Sequence, residues 1–257
     1  MSDLVRRKRI IELLRDRPFA SVRDLQKRLG VSAATIRRDI DKIDNMGAAR
    51  KVYGGISALD GPAGAAAYAR PYDENRDLAV ESKNRIAERA ALMVADGDSV
   101  IVNGGSSCFQ LGVRLAHRSI RLYTNSMPLA AYLGENGKCS LTVAGGELHR
   151  EPLVMFAPHE QNVFYASKYF IGAQGISSEG VLESHPLMVR SIQELAENAD
   201  QIVLLADSRK FSIHARNVAL PLSRIGTLIT DDGISDKCAK LVEDAGVTLE
   251  IVAGGEG

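Results

Sequence analysis

The hydrophobic period of this chain changes once along its length, and that change constrains its architecture more than any other feature. Up to residue 57 the apolar residues recur at helical spacing. From about residue 76 they gather into short β-rich runs at 99–102, 122–124, 141–143, 169–171, 202–205, 227–229 and 247–251. Helical stretches at 187–197, at 236–244 and around Ile86, Ala90 and Met93 lie between several of these runs. Near-continuous apolar strands are buried on both faces, so the alternation predicts an α/β domain with a largely parallel sheet over residues 76–257. Between the two regimes Gly61, Pro62 and Gly64 interrupt any period, and the alanines around them offer little to bury. Residues 58–75 therefore read as a linker.

Residues 1–57 read as three short helices. Ile10, Leu13 and Leu14 form the apolar stripe of a first helix that ends before Pro18. Ser21 and Asp24 have capping-box spacing ahead of Leu25 and Leu29, and Gly30 admits the left-handed turn that stops the second helix. Ser32 caps a third helix with Ile36, Ile40 and Ile43 inward, and Gly47 closes it. Two helices joined by a tight glycine turn make a helix-turn-helix. The outward positions of the third helix then include Ala33, Ala34, Arg37, Arg38 and Lys42. Small residues let backbone approach closely, while arginines reach guanine edges or phosphates. The following Arg50, Lys51, Val52, Tyr53, Gly54 and Gly55 read as the wing of a winged helix, suited to backbone contact beside the groove.

Charge points the same way. The whole chain has 32 basic and 32 acidic residues, yet residues 1–56 hold 14 basic against seven acidic, a net +7 balanced by −7 on the remainder. A solvated basic helix would carry the same excess, but with the helix-turn-helix spacing it favours a polyanion as partner, namely double-stranded DNA. No apolar run approaches the roughly 18 residues of a membrane span, and the charged N-terminus lacks the apolar core of a signal peptide. The isolated Cys108, Cys139 and Cys238 fit no disulfide framework, which predicts a reducing cytoplasm. The five histidines have no metal-ligand spacing, and neither a metal nor a cofactor is expected.

In the α/β region the strand-to-helix loops are the candidate ligand sites, because ligands of such sheets bind at strand C-terminal ends. Asn103, Gly104, Gly105, Ser106 and Ser107 follow one strand and open a helix. Glycines there let N–H groups converge on an anion, the hydroxyls add donors, and a helix start adds partial positive charge. An ordinary glycine turn with a serine cap would have the same residues. Thr124, Asn125 and Ser126, then Gly145 and Gly146, then Gln174 and Gly175, then Asp207 and Lys210 occupy similar loops, with Glu179 close by. Lys210 could neutralise a phosphate, and Asp207 or Asn125 could bond sugar hydroxyls.

These motifs resemble one family. Ser21-Val22-x-x-Leu25, Val31-Ser32-x-x-Thr35-Ile36-Arg37-Arg38-Asp39-Ile40, Gly47 and Tyr53-Gly54-Gly55 resemble the DeoR-type winged helix. Thr-Asn-Ser at 124–126, the glycine pair near 145, I-G-A-Q-G-I-x-x-E-G at 171–180, A-D-S-R-K-F at 206–211 and L-I-T-D-D at 228–232 look like the DeoR-type sensor domain. The resemblance implies a third helix in the major groove with Thr35, Arg37 and Arg38 at the DNA. It also implies a sensor similar in fold to ribose-5-phosphate isomerase that answers to phosphorylated sugars or related intermediates. The family's phosphate loop usually reads D-S-G-T-T; here it is Asn103-Gly-Gly-Ser-Ser, and Asn103 with S-S-x-F-x-L-G at 106–112 and P-L-A-x-Y-L at 128–133 look closer to the branch containing the L-ascorbate-utilisation repressor.

The reading is a two-domain transcription factor, a repressor of a sugar or sugar-acid catabolic operon, released by a small phosphorylated effector. A homo-oligomer, dimer or tetramer, is expected because one winged helix makes few base contacts. The alternative is an enzyme, a sugar-phosphate isomerase joined to a DNA-binding domain. It would need a base among Glu179, Glu183 and Asp207 beside a substrate carbonyl.

Overall fold

The computed structural model describes residues 3–16, 19–46, 48–52, 55–57, 67–68, 75–76, 78–150, 152–156 and 164–254. Two compact units divide the chain, Met1–Ala67 and Tyr68–Gly257. Most of the expected linker, residues 58–66 and 69–74, lies outside the described residues, as do Gly47, Tyr53 and Gly54.

The first unit has helices Asp3–Asp16, Val22–Leu29 and Ala33–Asn45, and an antiparallel sheet in which Gly55–Ser57 lies between Phe19–Ser21 and Arg50–Val52. Its core is Ile10, Leu14, Leu25, Ile36, Ile40, Ile43, Ala49 and Ile56, all buried. Each of the larger side chains contributes roughly 1.5–3 kcal/mol on burial. The helix starts form where the hydroxyls allow. Ser21 Oγ accepts the Asp24 N–H at 3.0 Å, and Ser32 Oγ accepts the Thr35 N–H at 3.2 Å. Gly30, at φ 66°, makes the left-handed turn between the two helices. An ion pair buried in this unit fixes the third helix against the first: Arg6 Nε donates to Asp39 Oδ2 at 2.5 Å, and Arg6 Nη2 to Asp3 Oδ1 at 2.9 Å. Asp39, the acid of the T-I-R-R-D run, thus works inward and holds the Arg6 guanidinium firmly charged.

The second unit is built on a seven-stranded sheet, parallel throughout, in the order Thr248–Val252, Thr227–Asp231, Ala199–Leu205, Ala166–Ile171, Ser99–Val102, Arg121–Thr124, Ser140–Val143. All seven apolar runs of the sequence are strands of this sheet. Neighbouring residues serve opposite faces. Tyr169 and Ile171 join one core with Met188 and Ile192, while Phe170 joins the other with Val102, Leu111 and Leu129. That double burial is why the runs of the central strands are so apolar, whereas the edge strands Ser140–Val143 and Thr248–Val252 are exposed or half-buried. In chain order the sheet grows from Ser99–Val102 outward to one side, then returns to place Ala166–Ile171 on the other. The reversal lies between these two strands, where a crevice opens at their C-terminal ends. Two smaller features were not anticipated from period alone: an antiparallel sheet of Gly175–Ser177, Gly180–Glu183 and Asn217–Leu220, and a hairpin of Glu147–His149 with Val154–Phe156. Their strands of three or four residues are too short to show a period. Among the described residues no helix is long and apolar enough to cross a membrane.

Candidate functional site

On the first unit the third helix presents Ala34, Arg37, Arg38 and Lys42 to solvent, beside exposed Ser32; Ala33, Thr35 and Ser21 are half-buried. Burial of Ile36, Ile40 and Ile43 forces the two arginines outward. Ser32 Oγ and Thr35 Oγ1 lie 3.0 Å apart, so both hydroxyls sit at the helix start. Lys51 also ties the wing to the third helix. Its Nζ pairs with Asp41 Oδ1 at 2.5 Å and its N–H donates to Asp44 Oδ1 at 2.7 Å. The side chain of Arg50, and Tyr53 and Gly54 entirely, lie outside the described residues.

On the second unit one cleft occupies the crevice at the sheet reversal. Asn103, Gly104, Gly105, Ser106 and Ser107 line it after the strand Ser99–Val102, and Gly172, Ala173 and Gln174 after Ala166–Ile171. Met188 and Ile192 supply an apolar wall, Glu183 and Lys210 the two ionisable groups, and Asn75 and Pro152 complete the lining. A Cβ on Gly104 would meet Val154 Cγ1 at 2.4 Å, and Gly105 sits at φ 134°, a conformation that side chains rarely adopt. Gly104 thus packs against Val154, and Gly105 shapes the turn into the helix. The helix Ser106–Leu115 starts at Gly105 with no side-chain cap. The N–H groups of Ser106 and Ser107 have no acceptor among the described residues. Uncapped donors at a helix start, with the lysine of a second loop in the same cleft, are the chemistry of an anion site.

Asn125 builds that loop instead of facing a ligand. It is 1% exposed; its Oδ1 accepts the Gly104 N–H at 2.8 Å, and its Nδ2 donates to Asn103 Oδ1 at 2.9 Å and to Ser191 Oγ at 3.0 Å. Replacing it with leucine strands three buried polar groups, each at a cost of about 1–3 kcal/mol. Asn125→Leu is expected to lower the melting temperature of the full chain at roughly 2–4 °C per kcal/mol. A melting temperature equal to the parent's would show that the loop does not depend on Asn125.

Several expected ligand residues stand elsewhere. Thr124 is fully buried, donating to the Val102 carbonyl at 2.7 Å and accepting the Ser126 N–H at 3.1 Å. Ser126 caps the helix Met127–Asn136. Gly145 and Gly146 follow the edge strand Ser140–Val143, are exposed, and do not line the cleft. Gly175 is a packing glycine, since a Cβ there would lie 2.2 Å from the Ile213 carbonyl oxygen. Glu179 is exposed between the strands Gly175–Ser177 and Gly180–Glu183. Asp207 is fully buried and held by Arg209 through bonds of 2.6 and 3.0 Å. Glu183, expected only as a base of the enzyme alternative, and further residues outside the expected effector set also line the cleft. Glu183 Oε1 accepts the N–H groups of Ser184 and His185 at 2.8 and 3.1 Å. Asn75, Met188 and Ile192 line it, and Ser191 supports it.

The turn Ser208–Ser212 that carries Lys210 is anchored by Asp231, which accepts the Ser208 N–H at 3.2 Å and the Gly233 N–H at 3.3 Å. Burial alone would raise the Asp231 carboxyl, but hydrogen bonds from Ser208, Ser82 and Gly233 outweigh it and hold the group below its ordinary range. Cys108, beside the anion loop, is inert at neutral pH because burial pushes its thiol up to about 12.

Comparison with known proteins agrees with this division of the chain. Residues 6–61 match the DeoR-like helix-turn-helix domain, and residues 78–232 match the DeoR C terminal sensor domain. The HTH-type transcriptional regulators UlaR of Shigella dysenteriae serotype 1 and of Escherichia coli K12 are each 29% identical over 251 residues, covering 97% of this chain and 99% of theirs. Among solved structures, ribose 5 phosphate isomerase A from Neisseria gonorrhoeae aligns at 17% identity and a TM-score of 0.37, covering 52% of this chain and 53% of that one. The eIF2B beta of Chaetomium thermophilum aligns at 14% identity and a TM-score of 0.40, covering 58% and 48%. The chain thus spans about half the length of these solved structures.

Proposed function

Since this chain belongs to the DeoR family, and its relatives are named as transcriptional regulators and not as enzymes, we propose that it represses a sugar-acid catabolic operon and is released by a phosphorylated sugar acid bound in the cleft. The observation that carries this reading is the uncapped start of the helix Ser106–Leu115 lining the same cleft as Lys210. A phosphate takes the N–H groups and the ammonium together. Gln174, Glu183 and the Asn103 amide offer donors and acceptors to hydroxyls, while Met188 and Ile192 cover the carbon skeleton.

Asn103 favours an effector with more than one negative charge. It stands where the family's loop usually has an aspartate, so the cleft has one carboxylate fewer to repel an acid. The resemblance of this loop to the branch containing the L-ascorbate-utilisation repressor supports the same class of effector. Residues 1–57 would bind double-stranded DNA, 58–75 link, and 76–257 bind effector and hold the protein together as a dimer or tetramer. Two winged helices then act across a symmetric operator in the cytoplasm.

A thermal-shift panel of sugar phosphates, sugar acids and phosphorylated sugar acids tests the effector class. A ligand at 100 times its dissociation constant adds about 2.7 kcal/mol of stability. Phosphorylated acids should raise the melting temperature, and Lys210→Ala should remove the shift. A panel that stabilises only through unphosphorylated sugars would refute the phosphate reading.

A further inference from the structure

We infer that Asn75 is the residue through which an anion in the cleft acts on the chain segment leading from the DNA-binding unit; this rests on reading the cleft as an anion site. Asn75 lines the cleft although it precedes every strand of the parallel sheet, and in sequence it directly follows residues 58–74. Its Oδ1 accepts from Lys210 Nζ at 3.4 Å. Its backbone carbonyl accepts the Leu78 N–H at 3.2 Å and also bonds Lys83 Nζ. Lys83 is 1% exposed, on the helix Val80–Ala91, and an ammonium so deep must have acceptors. Asn75 therefore lies between two lysines, one bonded to its side chain and one to its main chain.

The next turn of chain carries a second, independent sign. Ala79, at φ 48° and ψ 44°, is left-handed without being glycine, and it starts the helix without a side-chain cap. Such backbone persists only where its surroundings hold it, and it concentrates at switch regions. Asn75 is thus held by two lysines, four residues ahead of a left-handed Ala79 whose side chain does not favour that backbone.

An anion is a better partner for an ammonium than a neutral amide oxygen is. A phosphate reaching Lys210 competes with Asn75 Oδ1 and frees one of the two lysine contacts at the end of the linker. Linkage is reciprocal: whatever loosens Asn75 from Lys210 favours the anion, and whatever tightens it opposes the anion.

The test uses the full chain, inorganic phosphate as ligand, and a duplex that the protein itself has selected from a random pool. Wild-type protein should bind phosphate by calorimetry, and Lys210→Ala should not. Asn75→Ala should bind phosphate several-fold tighter and the duplex more weakly. Asn75→Asp, whose carboxylate pairs with Lys210, should bind phosphate about tenfold more weakly and keep the duplex in its presence. A merely structural role would move both variants the same way. Equal weakening in both, or no change in either while Lys210→Ala abolishes binding, overturns the inference. Absence of phosphate binding in the wild type, or its survival in Lys210→Ala, overturns the cleft reading itself and the inference with it.

Discussion

Replacing Arg37 or Arg38 with alanine is expected to abolish specific DNA binding while leaving the melting temperature unchanged. Both side chains are exposed on the third helix, and Ile36 and Ile40 on either side of them fill the core. Exposed substitutions of this kind alter stability by no more than about 0.5 kcal/mol. A lost base contact costs about 1–3 kcal/mol of discrimination, and a lost phosphate contact instead reduces the slope of log affinity against log salt by roughly 0.9. Binding of the selected duplex by fluorescence anisotropy at matched salt, with a scrambled duplex beside it, separates the two. Parent-like affinity in both variants would remove the third helix from the groove.

Ser106→Asp is expected to block the response to effector with DNA binding intact. Its carboxylate would stand at the uncapped start of the helix Ser106–Leu115, where the helix dipole tolerates it, gaining about 0.3–1 kcal/mol. It would occupy the place of a phosphate and repel one. Two like charges about 4 Å apart at an effective dielectric of about 20 oppose each other by roughly 4 kcal/mol, so affinity should fall by about 100-fold or more. A variant that titrates with phosphorylated ligand like the parent would reduce the loop to a turn.

Local chemistry made much of this architecture legible. The caps at Ser21 and Ser32, the left-handed Gly30 and the inward isoleucines follow from spacing within one helix. The edge strands Ser140–Val143 and Thr248–Val252 show as β-rich runs, while the central runs are legible as strands because burial on both faces leaves a local mark. The order of those strands leaves none, and the site depends on it. Spacing marks the loops after 99–102, 121–124, 140–143 and 166–171 alike, but only the reversal places the first and fourth at the crevice. Gly145 and Gly146 fall outside because their strand is at the sheet edge. Thr124 and Ser126 look like ligand donors in sequence, yet their hydroxyls are taken by backbone groups of their own turn and of the neighbouring strand. Glu183 and Asn75 reach the cleft through the small antiparallel sheet and the segment ahead of the helix Val80–Ala91, and no motif announces either. In Asp39 the sequence shows an acid within a basic run, and only the packing of two helices reveals Arg6 as its partner.

As proposed, one chain binds DNA and releases it when an anionic ligand fills the cleft. The most direct measurement is a titration of the preformed complex between full-length protein and its selected duplex, followed by anisotropy, with the phosphorylated sugar acid that stabilises the protein most. A coupling of about 1–3 kcal/mol predicts a loss of DNA affinity of roughly 5–150-fold at saturation, absent in Ser106→Asp. A complex that keeps its full affinity while the ligand saturates the protein would contradict the account.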